Sequence, residues 1–103
     1  MTFVQGNTYR LPILLKINGE IITDKDVKKV EFIFDDVKKY YPQDVTFDGQ
    51  HFICNLSQKD TFSFATIGFP KYQARVLFND DVVKGTNSIE FEVVGAQSKE
   101  VLK

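Results

Sequence analysis

The stretch Lys71–Val94, KYQARVLFNDDVVKGTNSIEFEVV, constrains the fold of this chain more than any other. Tyr72, Ala74, Val76 and Phe78 alternate with Gln73, Arg75, Leu77 and Asn79. Side chains of one parity along a strand share a face, so this spacing predicts a strand with one buried side. Asn79-Asp80-Asp81 supplies turn residues, and Ile89, Phe91 and Val93 then alternate with Glu90, Glu92 and Val94. The pattern predicts two strands joined by a polar connection, one face apolar and the other mostly wet.

The rest of the chain follows the same rule. From Thr8 to Asn18 the odd positions Tyr9, Leu11, Ile13, Leu15 and Ile17 are apolar, which predicts a long first strand. Pro12 has no N–H for a ladder, so this strand belongs at a sheet edge or changes partner sheet there. Asn18-Gly19 is a hairpin signal. Glu20-Ile21-Ile22 either pairs with the end of the first strand or leads directly into the loop Thr23–Asp26. Val27–Phe34 reads as a strand with Val30, Phe32 and Phe34 on one face, Asp35-Asp36 as a turn, and Val37–Tyr41 as a short strand ended by Pro42. Val45 and Phe47, the turn Asp48-Gly49, and Phe52, Cys54 and Leu56 predict a further hairpin. Ser57 with Asp60 three residues later resembles a capping box, predicting a short helical turn near 57–64 with Phe62 or Phe64 closing the core. Residues 1–7 read as a lead-in and 95–103 as a polar tail that frays.

About seven strands at roughly 8–12 residue spacing predict an all-β, immunoglobulin-like antiparallel β-sandwich. With 103 residues, this is a single domain. One cysteine, Cys54, excludes an intrachain disulfide, so packing alone must join the sheets. A net charge of −1 argues against a nucleic-acid binder, which carries a basic surplus. No apolar run approaches the ~20 residues that span a bilayer, and the first residues lack the basic and apolar regions of a secretory signal.

The residues offer little chemistry. His51 is the only histidine and follows a turn; it reads as an exposed strand-end residue. No G-x-S-x-G elbow is present, and one histidine does not make a triad or a histidine-based metal site. Cys54 has the inward parity of Phe52 and Leu56 and reads as a small buried hydrophobe. The acidic pairs Asp35-Asp36 and Asp80-Asp81 read as solvated turns. The Asp24/Asp26 loop is the first place to look for calcium, but the ligand pattern of a calcium loop is absent. Lys28-Lys29 and Lys38-Lys39 read as charges that blunt exposed edges. Tyr40-Tyr41 is either core on one side or part of a contact surface, since aromatics are enriched at interfaces. Tyr72, two residues before the small inward Ala74, matches the tyrosine-corner position of immunoglobulin-like sandwiches.

Three stretches carry a family resemblance. Gly6–Ile13 opens the first strand before Asn18-Gly19-Glu20; Val27–Phe32 forms the second; Tyr72–Val76 leads through Asp80–Val83 into Ser88–Val93. In these patterns of strand and turn, over nearly its full length, the chain resembles the small immunoglobulin-like domains of phage and prophage tails. It is similar in particular to the N-terminal domain of baseplate upper proteins of phages of Gram-positive bacteria. The resemblance implies a non-enzymatic virion structural part without cofactor or metal. Such a part docks onto copies of itself or onto other phage structural proteins, not onto nucleic acid or membrane. Its place would be the virion, or the bacterial cytoplasm before assembly. The docking elements expected are the Pro12 strand, the Val37–Tyr41 strand and one sheet face, with Tyr40 and Tyr41 as anchors. On that expectation, replacing both tyrosines weakens assembly and leaves the fold intact. The alternative is a carbohydrate- or cell-surface-binding sandwich module, which would display aromatics that stack on sugars.

Overall fold

The computed structural model describes residues 1–103. The chain is an all-β sandwich with a single helix of five residues. Its elements in order are β1 (Thr2–Val4), β2 (Tyr9–Ile13), β3 (Lys16–Ile17), β4 (Glu20–Ile21), β5 (Val27–Phe34), β6 (Val37–Tyr41), β7 (Thr46–Phe47), β8 (Phe52–Leu56), α1 (Gln58–Phe62), β9 (Lys71–Phe78), β10 (Val83–Gly85), β11 (Ile89–Glu90) and β12 (Glu92–Val94).

The larger sheet runs β10-β9-β5-β6, with β11 beside β10 along β9; the smaller runs β2-β8-β7. All these pairings are antiparallel. Alternation places Val30, Phe32 and Phe34 of β5 with Ala74 and Val76 of β9 on the inner face, all buried. Phe52, Cys54 and Leu56 of β8 meet them from the other sheet, and the Phe32 and Phe52 ring centroids lie 5.8 Å apart.

An aromatic cluster closes one end of this core. Phe3 packs edge-on to Tyr9 (5.0 Å), Phe34 (6.0 Å) and Phe91 (5.2 Å). Phe64, immediately after α1, lies 5.6 Å from Phe3 and is buried, while Phe62 is only partly so. Each such pair adds about 0.5–1.5 kcal/mol beyond the area it buries. The helix is held by the expected box: the Ser57 hydroxyl accepts from Asp60 N–H (3.1 Å) and the Asp60 carboxylate from Ser57 N–H (2.8 Å). Thr61 is fully buried; its hydroxyl accepts from Gly6 N–H and donates to the Asn7 carbonyl, both at 2.9 Å.

Several expectations need correction. The sheets are assembled from twelve strand segments, not about seven, because long alternating runs are shared between sheets. The first strand breaks after Ile13: β2 pairs with β8, whereas β3 pairs with β4 across the Asn18-Gly19 turn. The odd-residue parity survives the break, and Leu15 and Ile17 are buried. The strand that folds back on Lys71–Phe78 is β10, with Val83 opposite Leu77. Ile89–Val94 is divided between β11, which pairs with the start of β9, and β12, which leaves the sheet. As a result Phe91 is buried among the aromatic rings, while Ile89, expected inward, is 55% exposed. β12 pairs with β1 in parallel, an exception to the expected antiparallel pattern.

Residues 1–7 are more than a lead-in, since they contain β1 and the buried Phe3. The polar tail does not hang free. The Gln58 amide donates to the Leu102 carbonyl (2.7 Å) and accepts from Leu102 N–H (2.8 Å). The Lys99 ammonium donates to the side-chain oxygen of Gln5, whose own amide donates to the Phe64 carbonyl (3.0 Å). No helix is long and apolar enough to cross a membrane.

Candidate functional site

The outer face of the larger sheet carries an ordered set of polar and aromatic side chains. Glu31 of β5 stands opposite Tyr40 on one side and Arg75 of β9 on the other; Gly85 of β10 stands opposite Arg75. Residues directly opposite across a ladder are close enough for side chains to meet. The Tyr40 hydroxyl donates to Glu31 Oε2 (3.0 Å), and Arg75 Nη1 lies 3.8 Å from Glu31 Oε1. The Lys29 ammonium sits 4.6 Å from the centre of the Tyr40 ring. The hydrogen bond to Glu31 raises the Tyr40 phenol above its ordinary value of 10.0.

Two further outward rows flank this one. Leu77 stands between Lys29 and Val83, and Ile33 between Lys38 and Gln73. Lys29, Glu31, Tyr40, Arg75, Leu77 and Val83 border a shallow depression of about 290 Å³. Across the three rows the charged side chains are Lys29, Lys38 and Arg75 against Glu31 alone, on a chain whose net charge is −1. The arrangement is a tyrosine hydrogen-bonded to one carboxylate with a guanidinium near the same carboxylate, in aliphatic and cationic surroundings.

Tyr40 and Tyr41 are therefore separated. Tyr41 leaves the opposite face of β6 and packs edge-on against Phe52 at 5.2 Å, which makes it a core-edge residue and not an exposed anchor. The edge of β6 is also covered at this end. The Tyr40 carbonyl accepts from Asp44 N–H (2.7 Å) and Val45 N–H (3.1 Å). Lys39 points inward to an ion pair with Asp60 (2.8 Å), the kind of inward charge that keeps an edge from pairing with another chain.

Pro12 is exposed at the middle of β2, which has β8 as its sole ladder partner. An apolar groove of about 370 Å³ runs beside it, bordered by Met1, Leu11, Ile13, Phe34, Tyr72 and Ile89. Tyr72 packs on Phe34 at 4.7 Å, and burial pushes its phenol up with no hydrogen bond contributing. The tyrosine-corner bond is thus absent at Tyr72. It is Tyr9 whose hydroxyl accepts from an upstream backbone N–H, that of Val4 (2.8 Å). Nothing in the alternation distinguishes these two tyrosines, because the difference lies in where β1 passes.

Elsewhere the chemistry is structural. Cys54 is fully buried, and burial pushes its thiol up to about 12, so a thiolate is suppressed at neutral pH. Asp48 holds its turn by accepting from His51 N–H (2.6 Å) and Gln50 N–H (2.9 Å), which lowers its carboxyl; the His51 ring is 3.7 Å away. Asp26 accepts from Thr23 N–H (2.9 Å), closing the loop considered for calcium, and no group of three or more histidine, cysteine or carboxylate side chains is placed to hold a metal. Glu31 and Arg75 were not singled out by the sequence; each is one polar residue in an alternating strand, and only the pairing register brings them to Tyr40. Comparison of the chain with family models, curated proteins and solved structures gives no match.

Proposed function

We propose that the chain is a non-enzymatic structural domain, of the phage or prophage tail and baseplate type, that works by docking another protein on its Tyr40 face. The observation that carries this reading is the Glu31-centred row, in which a hydrogen bond orders Tyr40 before any partner arrives and Arg75 stands beside the same carboxylate. Tyrosine and arginine dominate binding hot spots, and side chains ordered in advance lose less entropy on binding. The covering of the β6 edge at Tyr40 favours the face over that end of the edge. The β2 edge remains open to strand addition, with Pro12 limiting the backbone donors it offers.

A carbohydrate-binding reading rests on the same partly buried Tyr40 ring flanked by Glu31 and Arg75. The Lys29 ammonium over the ring counts against it, because that position competes with a stacked sugar. A photo-cross-linking phenylalanine at Tyr40, with the same residue at the exposed Asn55 as control, separates the readings. A discrete protein adduct from position 40 alone is the expected result. Binding to a glycan array that is lost in Tyr40→Ala, with no protein adduct, would overturn it.

A further inference from the structure

We propose that residues 95–103 form an arm that two copies of this chain exchange, each seating its Lys99–Leu102 on the Gln5 and Gln58 side chains of the other. This surface is separate from the Tyr40 face, and the inference does not rest on that reading. The seat is built to hold a peptide. Gln5 is only 7% exposed. Its side-chain nitrogen donates to the Phe62 (3.4 Å) and Phe64 (3.0 Å) carbonyls, and its side-chain oxygen accepts from the Lys99 ammonium alone. A buried acceptor left without a donor is costly, so the seat calls for a cation at this point. Gln58 then reads both backbone groups of one residue, donating to the Leu102 carbonyl (2.7 Å) and accepting from Leu102 N–H (2.8 Å), as a neighbouring strand would.

The arm doubles back to reach this seat. A Cβ placed on Gly95 would lie 3.8 Å from Gln5 Oε1, the same oxygen that Lys99 reaches, and the chain bends at Gln97 between them. No backbone–backbone hydrogen bond holds residues 96–103, so little has to break for the bend to open. Opened and extended, the stretch from Gln97 to Leu102 spans about 17 Å. That is close to the 19 Å of the molecule's shortest dimension, so the arm reaches a neighbour.

An exchanged pair repeats the arm contacts of the closed chain, so whatever else the exchange buries decides the balance. Apolar side chains stand in solvent at the root of the arm: Ile67 is 91% exposed, Phe69 64%, and Val94 is exposed beside Gly95. Thr66 Cγ2 lies 3.8 Å from the Cβ position of Gly95, and Phe91 N–H donates to the Pro70 carbonyl (2.9 Å), which sets the 66–70 loop against the strand that leads into the arm. Crossing arms bring two such roots together, and the apolar loop of one copy covers that of the other. An exposed apolar patch of this kind marks a protein contact. The same patch serves both copies, so the contact is isologous and the assembly closes at two.

Light scattering and isotope-mixed cross-linking of the full chain test this. The mass should rise with concentration to twice that of the chain and stop there. A photo-cross-linking phenylalanine at Leu102, whose exposed side chain takes no part in the Gln58 bonds, reports where the arm sits. In an equal mixture of nitrogen-14 and nitrogen-15 chains, adducts should join a light arm to a heavy peptide containing Gln58, and the reverse, in a share that grows with concentration. Gln58→Ala, and separately Ile67→Ser with Phe69→Ser, should each cut that share several-fold while keeping the parental circular dichroism spectrum. A monomer at every concentration, or adducts confined to one isotope, overturns the proposal. So does a dimer that both variants form as well as the parent. The cross-link from position 40 is read independently, so failure of arm exchange leaves the Tyr40 docking reading standing.

Discussion

Tyr40 and Tyr41 are adjacent in the chain and do opposite work, because successive side chains leave opposite faces of β6. Tyr41 packs on Phe52, so Tyr41→Ser removes buried aromatic surface next to the core. The expected loss is about 2 kcal/mol, less than the ~3–5 kcal/mol of a fully buried aromatic truncation. Tyr40→Ser gives up one solvent-accessible hydrogen bond to Glu31, and its cost should stay within about 1 kcal/mol. Urea denaturation of the two single variants checks the difference. A double variant would confuse lost contact with lost fold, which corrects the expectation that both tyrosines are dispensable. At this scale the inward stripe of β5 was legible, Val30, Phe32 and Phe34 all being buried. Which tyrosine anchors a neighbouring backbone was not, because the Tyr9–Val4 bond depends on the path of β1.

The helix α1 shows how much of an element a local motif can specify. The Ser57–Asp60 spacing announces the cap, and the cap is formed on both sides. It does not announce Lys39, which reaches Asp60 from β6. Partial burial pushes the Asp60 carboxyl up, but the Lys39 ammonium and the Ser57 donors outweigh it and hold the group below its ordinary 3.8. A lowered carboxyl contributes stability that is complete above the ordinary value and is lost as pH falls through the folded-state value. Asp60→Asn should therefore cost about 1 kcal/mol near neutral pH, the usual worth of a cap. It should also flatten the decline in stability below pH 3.8, leaving the share due to Asp48. Thermal unfolding of both proteins across the acid range measures it. A decline equally steep in the variant would show that Asp60 is not the titrating group.

For the molecule as a whole, the ends of the chain are part of the structure. β1 brings Phe3 into the aromatic cluster, and Gln58 holds the Leu102 backbone by two hydrogen bonds. Gln58→Ala should speed amide exchange at Leu102 markedly while changing global stability by less than about 1 kcal/mol, since its two bonds hold only the chain end. Exchange unchanged at Leu102 would show that the tail is held by something else. Period-two alternation, turn residues at Asn18-Gly19 and Asp48-Gly49, and the Ser57 cap are short-range physics, and they determined an all-β sandwich with its inward stripes and its one short helix. Strand pairing is long-range. Which segment returns against β9, why β12 joins β1 in parallel, and how Tyr40, Glu31 and Arg75 come to stand in one row depend on the competition of whole apolar stripes for one core. The tertiary structure alone decided these, because residues far apart in the chain carry no mark of their partner until the sheets are packed.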